Sequence, residues 1–484
     1  MKSSDLLSNL PSVSELLSHP QLQSVVDRLN HSAATARVRG FLDELRQELA
    51  KRADDLPLPS LREVIDRVTR YVASDSQGRL RGAINATGRF RGGPWVSTPL
   101  ADAAIERSLR LAKDFAIDGL SPTPDASDAT EVITRLTGAE AAAVLHTRAG
   151  ALSLVLTELA ARPPLVVARG DLGEVDPGCR FTDLCNTAGA RMCEVGSTDS
   201  VTLEDYTAAL PEAGHDEDGG VVVRLARDNA TASPATPRPT TAELAAAVHA
   251  RGGLLVEDVG SAPLVDLPDA GGEASAPCIE GVMSPSAAAT LGAGADLVLV
   301  RGDGVIGGPG LCLVAGAADL IESVLRHPLA AAHQPTAAAL VALSATLEEW
   351  SDLSKAMLRV PTPSLLSTPL ENLRTRAERL APQLVESLLV AAAEAMPLPA
   401  ESGAVVGLPV RQASFAVSVT PAEGSASELQ SRLAGGTPGL HGRVDGDRLL
   451  LDLRTVFPRQ DLALLSAFSP DSDGGEGANQ GEGG

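Results

Sequence analysis

From about residue 80 to 335, short apolar runs alternate with alanine-rich segments of helical period. The runs Ala142–Leu145, Leu165–Ala168, Val221–Leu225, Leu254–Glu257, Leu297–Val300 and Leu311–Val314 read as buried strands. Helices are expected near 101–113, 126–137, 149–161 and 240–251. Such alternation predicts an α/β fold, a mostly parallel sheet covered by helices, over residues 79–335. Ahead of it, residues 1–78 read as a helical domain. Leu22, Val25, Val26 and Leu29 recur at helical spacing, as do Val38, Phe41, Leu42, Leu45 and Leu49, then Leu61, Val64, Ile65, Val68 and Val72. Ser60 and Glu63 form a capping box for the third of these helices. Residues 267–290 read as a polar surface loop.

Residues 336–468 predict a smaller α+β domain. Helices are expected over Ala337–Trp350 and Glu371–Met396, then strands at Phe415–Val419, Gly442–Val444 and Leu449–Leu453. Asp445-Gly446-Asp447 joins the last two as a hairpin turn. Residues 469–484 are acidic and glycine-rich and cannot bury enough apolar surface to fold, so a disordered tail is expected.

The densest turn chemistry lies between the last two strands of the large domain. Arg301-Gly302-Asp303-Gly304 is followed by Gly307-Gly308-Pro309-Gly310. Glycine at so many positions lets a backbone turn tightly and approach a ligand closely. In open α/β sheets ligands sit beyond the carboxyl ends of the strands. Two further stretches end there: His146-Thr147-Arg148-Ala149-Gly150 and Asp258-Val259-Gly260-Ser261.

Composition narrows the classes. Aromatic residues are 2% of the chain, so Ala, Val and Leu must build the core. The formal charge of −22 gives no sign of the basic face that a free-standing nucleic-acid binder usually carries. The five cysteines, at 179, 185, 193, 278 and 312, show no metal or disulfide spacing and read as reduced thiols. There is no apolar signal core and no run long enough to span a membrane, so a cytoplasmic protein is expected.

Fragments distributed through the chain carry a family resemblance. They include Leu10-Pro11-Ser12-Val13, Ile84-Asn85-Ala86-Thr87-Gly88, Leu136-Thr137-Gly138-Ala139-Glu140 and Arg169-Gly170-Asp171-Leu172. Others are Glu194-Val195-Gly196-Ser197-Thr198, Leu203-Glu204-Asp205-Tyr206, Glu257-Asp258-Val259-Gly260-Ser261 and Gly307-Gly308-Pro309. A further one, Leu449-Leu450-Leu451-Asp452-Leu453-Arg454-Thr455-Val456, lies near the end. In this order, over roughly residues 10–465, the chain resembles bacterial selenocysteine synthase, the L-seryl-tRNA(Sec) selenium transferase family.

The resemblance implies a pyridoxal phosphate (PLP) architecture of fold type I. It also implies a larger assembly, at least a dimer, and tRNA as a partner. In the implied reaction PLP is held on a lysine, the serine amino group of seryl-tRNA displaces that lysine, water is eliminated and selenophosphate supplies selenium. PLP acts as the electron sink.

The family's S-G-D-K-L-L-G-G-P run reads here Arg301-Gly302-Asp303-Gly304-Val305-Ile306-Gly307-Gly308-Pro309, so the Schiff-base lysine falls on Gly304. Glycine has no amine to hold the cofactor or move a proton. The chain's four lysines, Lys2, Lys51, Lys113 and Lys355, lie outside this stretch. Arg301 stays protonated and is no substitute nucleophile. Asp258 falls where the family places the carboxylate that faces the pyridine nitrogen; by itself it also reads as an Asp capping a turn with Gly260 and Ser261. The helix start at Arg148, Ala149 and Gly150 suits a phosphate. Arg148 reads either as a phosphate ligand or as a surface cation near Glu140, and His146 reads as a structural residue.

The family's arginine-rich stretch before Leu136 is Phe115–Pro124 here, without an arginine. Of its H-T-S-N-Y run only Asn229 remains. Asn229, Ser261, Arg301 and Asp303 complete the candidate cofactor-binding set; no metal is expected. Three readings follow: a degenerate homologue without covalent cofactor chemistry, a working PLP-dependent selenium transferase, or a different activity on a phosphorylated small ligand near Arg148 and Arg301.

Overall fold

The computed structural model describes residues 11–19, scattered positions between 34 and 68, and 80–115, 127–212, 219–226, 238–267, 279, 282, 284–400, 408 and 410–469. Seven strands make the central sheet: β1 (Ala141–Leu145), β2 (Leu165–Ala168), β3 (Met192–Val195), β4 (Val221–Leu225), β5 (Leu254–Gly260), β6 (Leu297–Arg301) and β7 (Cys312–Gly316). Their order is β1-β7-β6-β5-β4-β2-β3. β7 runs antiparallel to both neighbours, and every other pair is parallel.

The strands are apolar almost throughout because both faces are covered. In β6, Val298 and Val300 join the core on one face, and Leu297 and Leu299 join the core on the other. The first core also packs against α1 (Asp102–Lys113), α2 (Ser127–Thr137) and α5 (Ala337–Glu349), and takes in Leu244 and Val248 of α4 (Thr241–His249). The second holds α3 (Arg148–Leu159), whose Leu152, Val155 and Leu156 are fully covered.

The chain between β6 and β7 folds back on itself. Gly302 N–H donates to the Leu311 carbonyl at 2.8 Å, and Gly308 N–H to the Gly302 carbonyl at 2.8 Å. Gly307 has a φ of +70°, a conformation that favours glycine. Buried Trp350, which caps the end of α5, donates its indole N–H to the Ile306 carbonyl at 2.9 Å. The loop is therefore braced from outside as well as by its own bonds.

A second antiparallel sheet has the order β8-β9-β11-β10, from β8 (Val390–Leu398), β9 (Ser414–Pro421), β10 (Arg443–Asp445) and β11 (Arg448–Asp452). The helix α6 (Leu370–Leu384) packs on it through Leu373, Ala377 and Leu380. The chain leading into the large sheet is stitched to this unit. Ala83–Asn85 pairs in parallel with Gly439–His441, and Asp452 N–H donates to the Ala86 carbonyl at 2.8 Å. Among the described N-terminal residues, Leu16, Val38, Phe41, Leu42, Leu45, Val64, Ile65 and Val68 share one small core. The capping box at Ser60 and Glu63 and the tail beyond Ser469 lie outside the described residues.

Two expectations are corrected. The helix expected over Glu371–Met396 ends at Leu384, and Val390–Leu398 is a strand paired with Ser414–Pro421. Its alanines favour helix, but the open edge beside β9 overrides a weak local preference. The polar loop expected over 267–290 gives way to a helix at Ala287–Gly292, capped by the Ser286 hydroxyl. Cys179, Cys185, Cys193 and Cys312 are free thiols; Cys278 lies outside the described residues. No helix among the described residues is long and apolar enough to cross a membrane.

Candidate functional site

The candidate residues converge at the carboxyl edge of the sheet. Thr147 caps α3, its hydroxyl accepting from Gly150 N–H at 3.0 Å. Exposed His146 donates its own N–H to the His333 carbonyl at 2.7 Å, a connection that ties down the loop. The registers Leu225↔Asp258 and Asp258↔Leu299, with a bulge before Gly260, set Asp258 within the sheet and turn Ser261 toward the glycine loop.

The reading of Arg148 as a surface cation near Glu140 is overturned. Its side chain is 5% exposed, and its Nε donates to Asp258 Oδ2 at 2.6 Å; the Asp258 side chain is 0% exposed. Glu140 instead accepts from Ala318 N–H. The cause is direction: capped by Thr147, the first turn of α3 aims residue 148 across β7 and β6 toward β5. Arg148 Nη1 also donates to the Val175 carbonyl at 2.9 Å, and Asp258 Oδ1 accepts from Gly260 N–H at 2.9 Å. Both carboxylate oxygens of Asp258 therefore have donors.

A second chain of charges runs beside it. Arg301 Nη1 donates to Asp176 Oδ1 at 2.6 Å and its Nε to Asp303 Oδ1 at 3.2 Å. The other Asp176 oxygen accepts from Ala149 N–H at 2.9 Å. Arg91 Nε lies 3.3 Å from Asp303 Oδ2, and Arg91 Nη1 donates to the Ser261 hydroxyl at 3.2 Å. Burial works against the charge on Arg301, but Asp303 and Asp176 outweigh it and its pKa moves up. Burial also pushes the Cys312 thiol up, with the Asp258 charge adding to it, so this cysteine is no ready nucleophile.

Gly304 sits against Ser261. A Cβ added there would stand 2.6 Å from Ser261 Cα, 2.6 Å from its carbonyl oxygen and 2.8 Å from its Cβ. The Ser261 carbonyl is in turn fixed by a 3.0 Å bond from Val305 N–H. The structure thus brings together Arg148, Ala149, Gly150, Asp258, Ser261, Arg301, Asp303 and Gly304. Asn229 lies outside the described residues, as do 116–124. Sequence reading missed Asp176 and Arg91; the arginine- and glycine-rich Arg89-Phe90-Arg91-Gly92-Gly93 was the available signal for the second.

The family model described as L-seryl-tRNA selenium transferase matches residues 104–457, and the selenocysteine synthase N-terminal model matches residues 7–46. The chain belongs to the L-seryl-tRNA(Sec) selenium transferase family. The L-seryl-tRNA(Sec) selenium transferase of Moorella thermoacetica is 32% identical over 487 residues, covering 98% of this chain and 100% of that protein. Its counterpart in Hyphomonas neptunium is 30% identical over 474 residues, covering 96% and 98%. Among solved structures, D-glucosaminate-6-phosphate ammonia-lyase superposes with a TM-score of 0.56 at 17% identity, covering 81% of this chain and 96% of that one. The fold is that of PLP-dependent transferases of fold type I, as the resemblance implies.

Pyridoxal phosphate, which the family implies, does not fit these residues in the lysine-bound mode. Position 304 has neither an amine nor room for a Cβ. Asp258 is already bonded to Arg148, and the Ala149 N–H is taken by Asp176.

Proposed function

We propose that this chain is a degenerate member of the selenium transferase family, one that has left lysine-bound cofactor chemistry and acts as a binding or scaffolding homologue. The observation that carries the reading is Gly304, at the family's lysine position, with Ser261 backbone 2.6 Å from where a Cβ would stand. The two lysines within the described residues offer no replacement. Lys113 ends α1, and Lys355 pairs with Asp352 at 3.4 Å on the helix Leu353–Arg359; neither is on the central sheet. Arg148 and Arg301, the cations that a phosphorylated ligand would use, both hold the chain's own carboxylates.

The family resemblance adds tRNA as a partner, assembly into at least a homodimer, and pairing with a lysine-bearing relative. A cytoplasmic setting and the division at residues 78, 335 and 468 belong to the same reading. The test is a transfer assay with seryl-tRNA(Sec), selenophosphate and added PLP, run beside a lysine-bearing relative. The expected outcome is no selenocysteinyl-tRNA from this chain alone. Product formed by the purified chain would overturn the reading.

A further inference from the structure

Asp176 is presented by a very small hairpin. Glu174–Asp176 pairs with Cys179–Arg180 across Pro177 and Gly178, and Gly178 has a φ of +75°. Val175 is the buried side chain of this hairpin. Val175 anchors the hairpin in the second core, and polar contacts hold its tip on the sheet edge. Arg148 donates to the Val175 carbonyl, Arg301 to Asp176 Oδ1, and Ala149 N–H to Asp176 Oδ2.

Among the described residues three arginines and three aspartates meet around it. Arg91, Arg148 and Arg301 face Asp176, Asp258 and Asp303 through the contacts given above. Charge-assisted bonds of this kind are short and strong, and inside a protein they depend on such pairing. An anion entering here would find its donors taken and would meet the Asp176 carboxylate at close range. With the hairpin withdrawn, Arg301 and the Ala149 N–H would each lose the partner that Asp176 supplies. An arginine and a helix-start N–H side by side suit a small oxyanion such as a phosphate group.

We infer that the hairpin Glu174–Arg180 is an internal plug: Asp176 is an intramolecular ligand for the oxyanion position formed by Arg301 and the Ala149 N–H, so that a seated hairpin and a bound phosphate-bearing small molecule exclude each other. This rests on the reading that the site holds no lysine-bound cofactor, and it describes what has taken the cofactor's place.

The test titrates the full chain with inorganic phosphate by calorimetry. Wild type is compared with Asp176→Ala, with Asp176→Asn, which keeps the shape and removes the charge, and with Asp176→Ala/Arg301→Gln. The single variants are expected to bind phosphate at least tenfold more tightly than wild type, and the double variant to lose that gain. Folded single variants that bind no better than wild type would overturn the plug. Should both single variants fail to fold, amide exchange on wild type decides. Phosphate binding must then speed exchange at Val175 and Gly178, and no binding agrees with a seated plug. Bound phosphate with unchanged exchange at those amides overturns it. Selenium transfer by the wild-type chain would sink the functional reading without moving these phosphate results, so the two failures are separable.

Discussion

Placing a side chain at position 304 is the perturbation whose size follows most directly from the structure. Ordinary Cβ contacts lie at 3.4–4 Å, and a Cβ here would meet Ser261 Cα and O at 2.6 Å. The obstacle is backbone, and its carbonyl is tied to Val305 N–H at 3.0 Å, so it cannot swing away as a flexible side chain would. Forcing an atom into a packed site costs about 1–3 kcal/mol. Replacing glycine returns roughly 0.4–1 kcal/mol by restricting the unfolded chain. Gly304→Ala should therefore lose up to about 2.6 kcal/mol on balance, toward the upper end because the obstacle is fixed backbone. Gly304→Lys starts from the same Cβ and adds an ammonium beside Arg91 and Arg301, so it should lose more. Urea unfolding followed by tryptophan fluorescence reads this out, since Trp350 brackets the same loop through Ile306. An alanine variant as stable as wild type would show that the site has room. A lysine variant that folds normally and takes up PLP covalently would refute the steric reasoning altogether.

Other outcomes follow from the same contacts. Arg148→Met strands the Asp258 carboxylate in a fully buried position and should cost about 3–5 kcal/mol, whereas Arg148→Met/Asp258→Leu should recover much of it; a double-mutant cycle in urea measures the coupling. Trp350→Phe keeps most of the packing but orphans the Ile306 carbonyl and should cost about 1–3 kcal/mol, read by urea unfolding followed by far-UV circular dichroism because the variant removes the fluorescent reporter. Asp452 is pushed up by burial, with Ser414, the Arg454 N–H and the Arg454 charge pulling the other way. A raised carboxyl pKa means that the folded state holds its proton longer, so this group's contribution is fully present below the ordinary value of 3.8 and is lost as pH rises through the folded value. Asp452→Asn should lack that slope when stability is measured from pH 3 upward.

Much of the sheet was legible because strands covered on both faces must be apolar throughout. Leu165–Ala168 and Val221–Leu225 run from the first predicted residue to the last as strands. The edge strand Met192–Val195 carries Cys193 and Glu194 on a partly exposed edge, so its apolar signal is broken and it was missed. Val390–Leu398 was misread because alanine reports local preference, while its pairing with Ser414–Pro421 is a tertiary fact. In the site, the lysine loss proposed at 304 rests on a single position of the sequence and so needs no tertiary information to be read. The pairing of Arg148 with Asp258 cannot, since 110 residues separate them and only the capped start of α3 decides where the guanidinium goes. Asp176 gave no signal at all: a lone aspartate before Pro177-Gly178 looks like ordinary turn chemistry.

The central claim is that no lysine of this chain holds the cofactor. It is tested most directly by mixing the purified protein with PLP, reducing with borohydride and mapping the peptides by mass spectrometry. The account predicts no pyridoxyl group at a defined lysine. Stoichiometric modification of one lysine, at Lys2, Lys51, Lys113 or Lys355, would contradict it and mark an alternative Schiff-base residue.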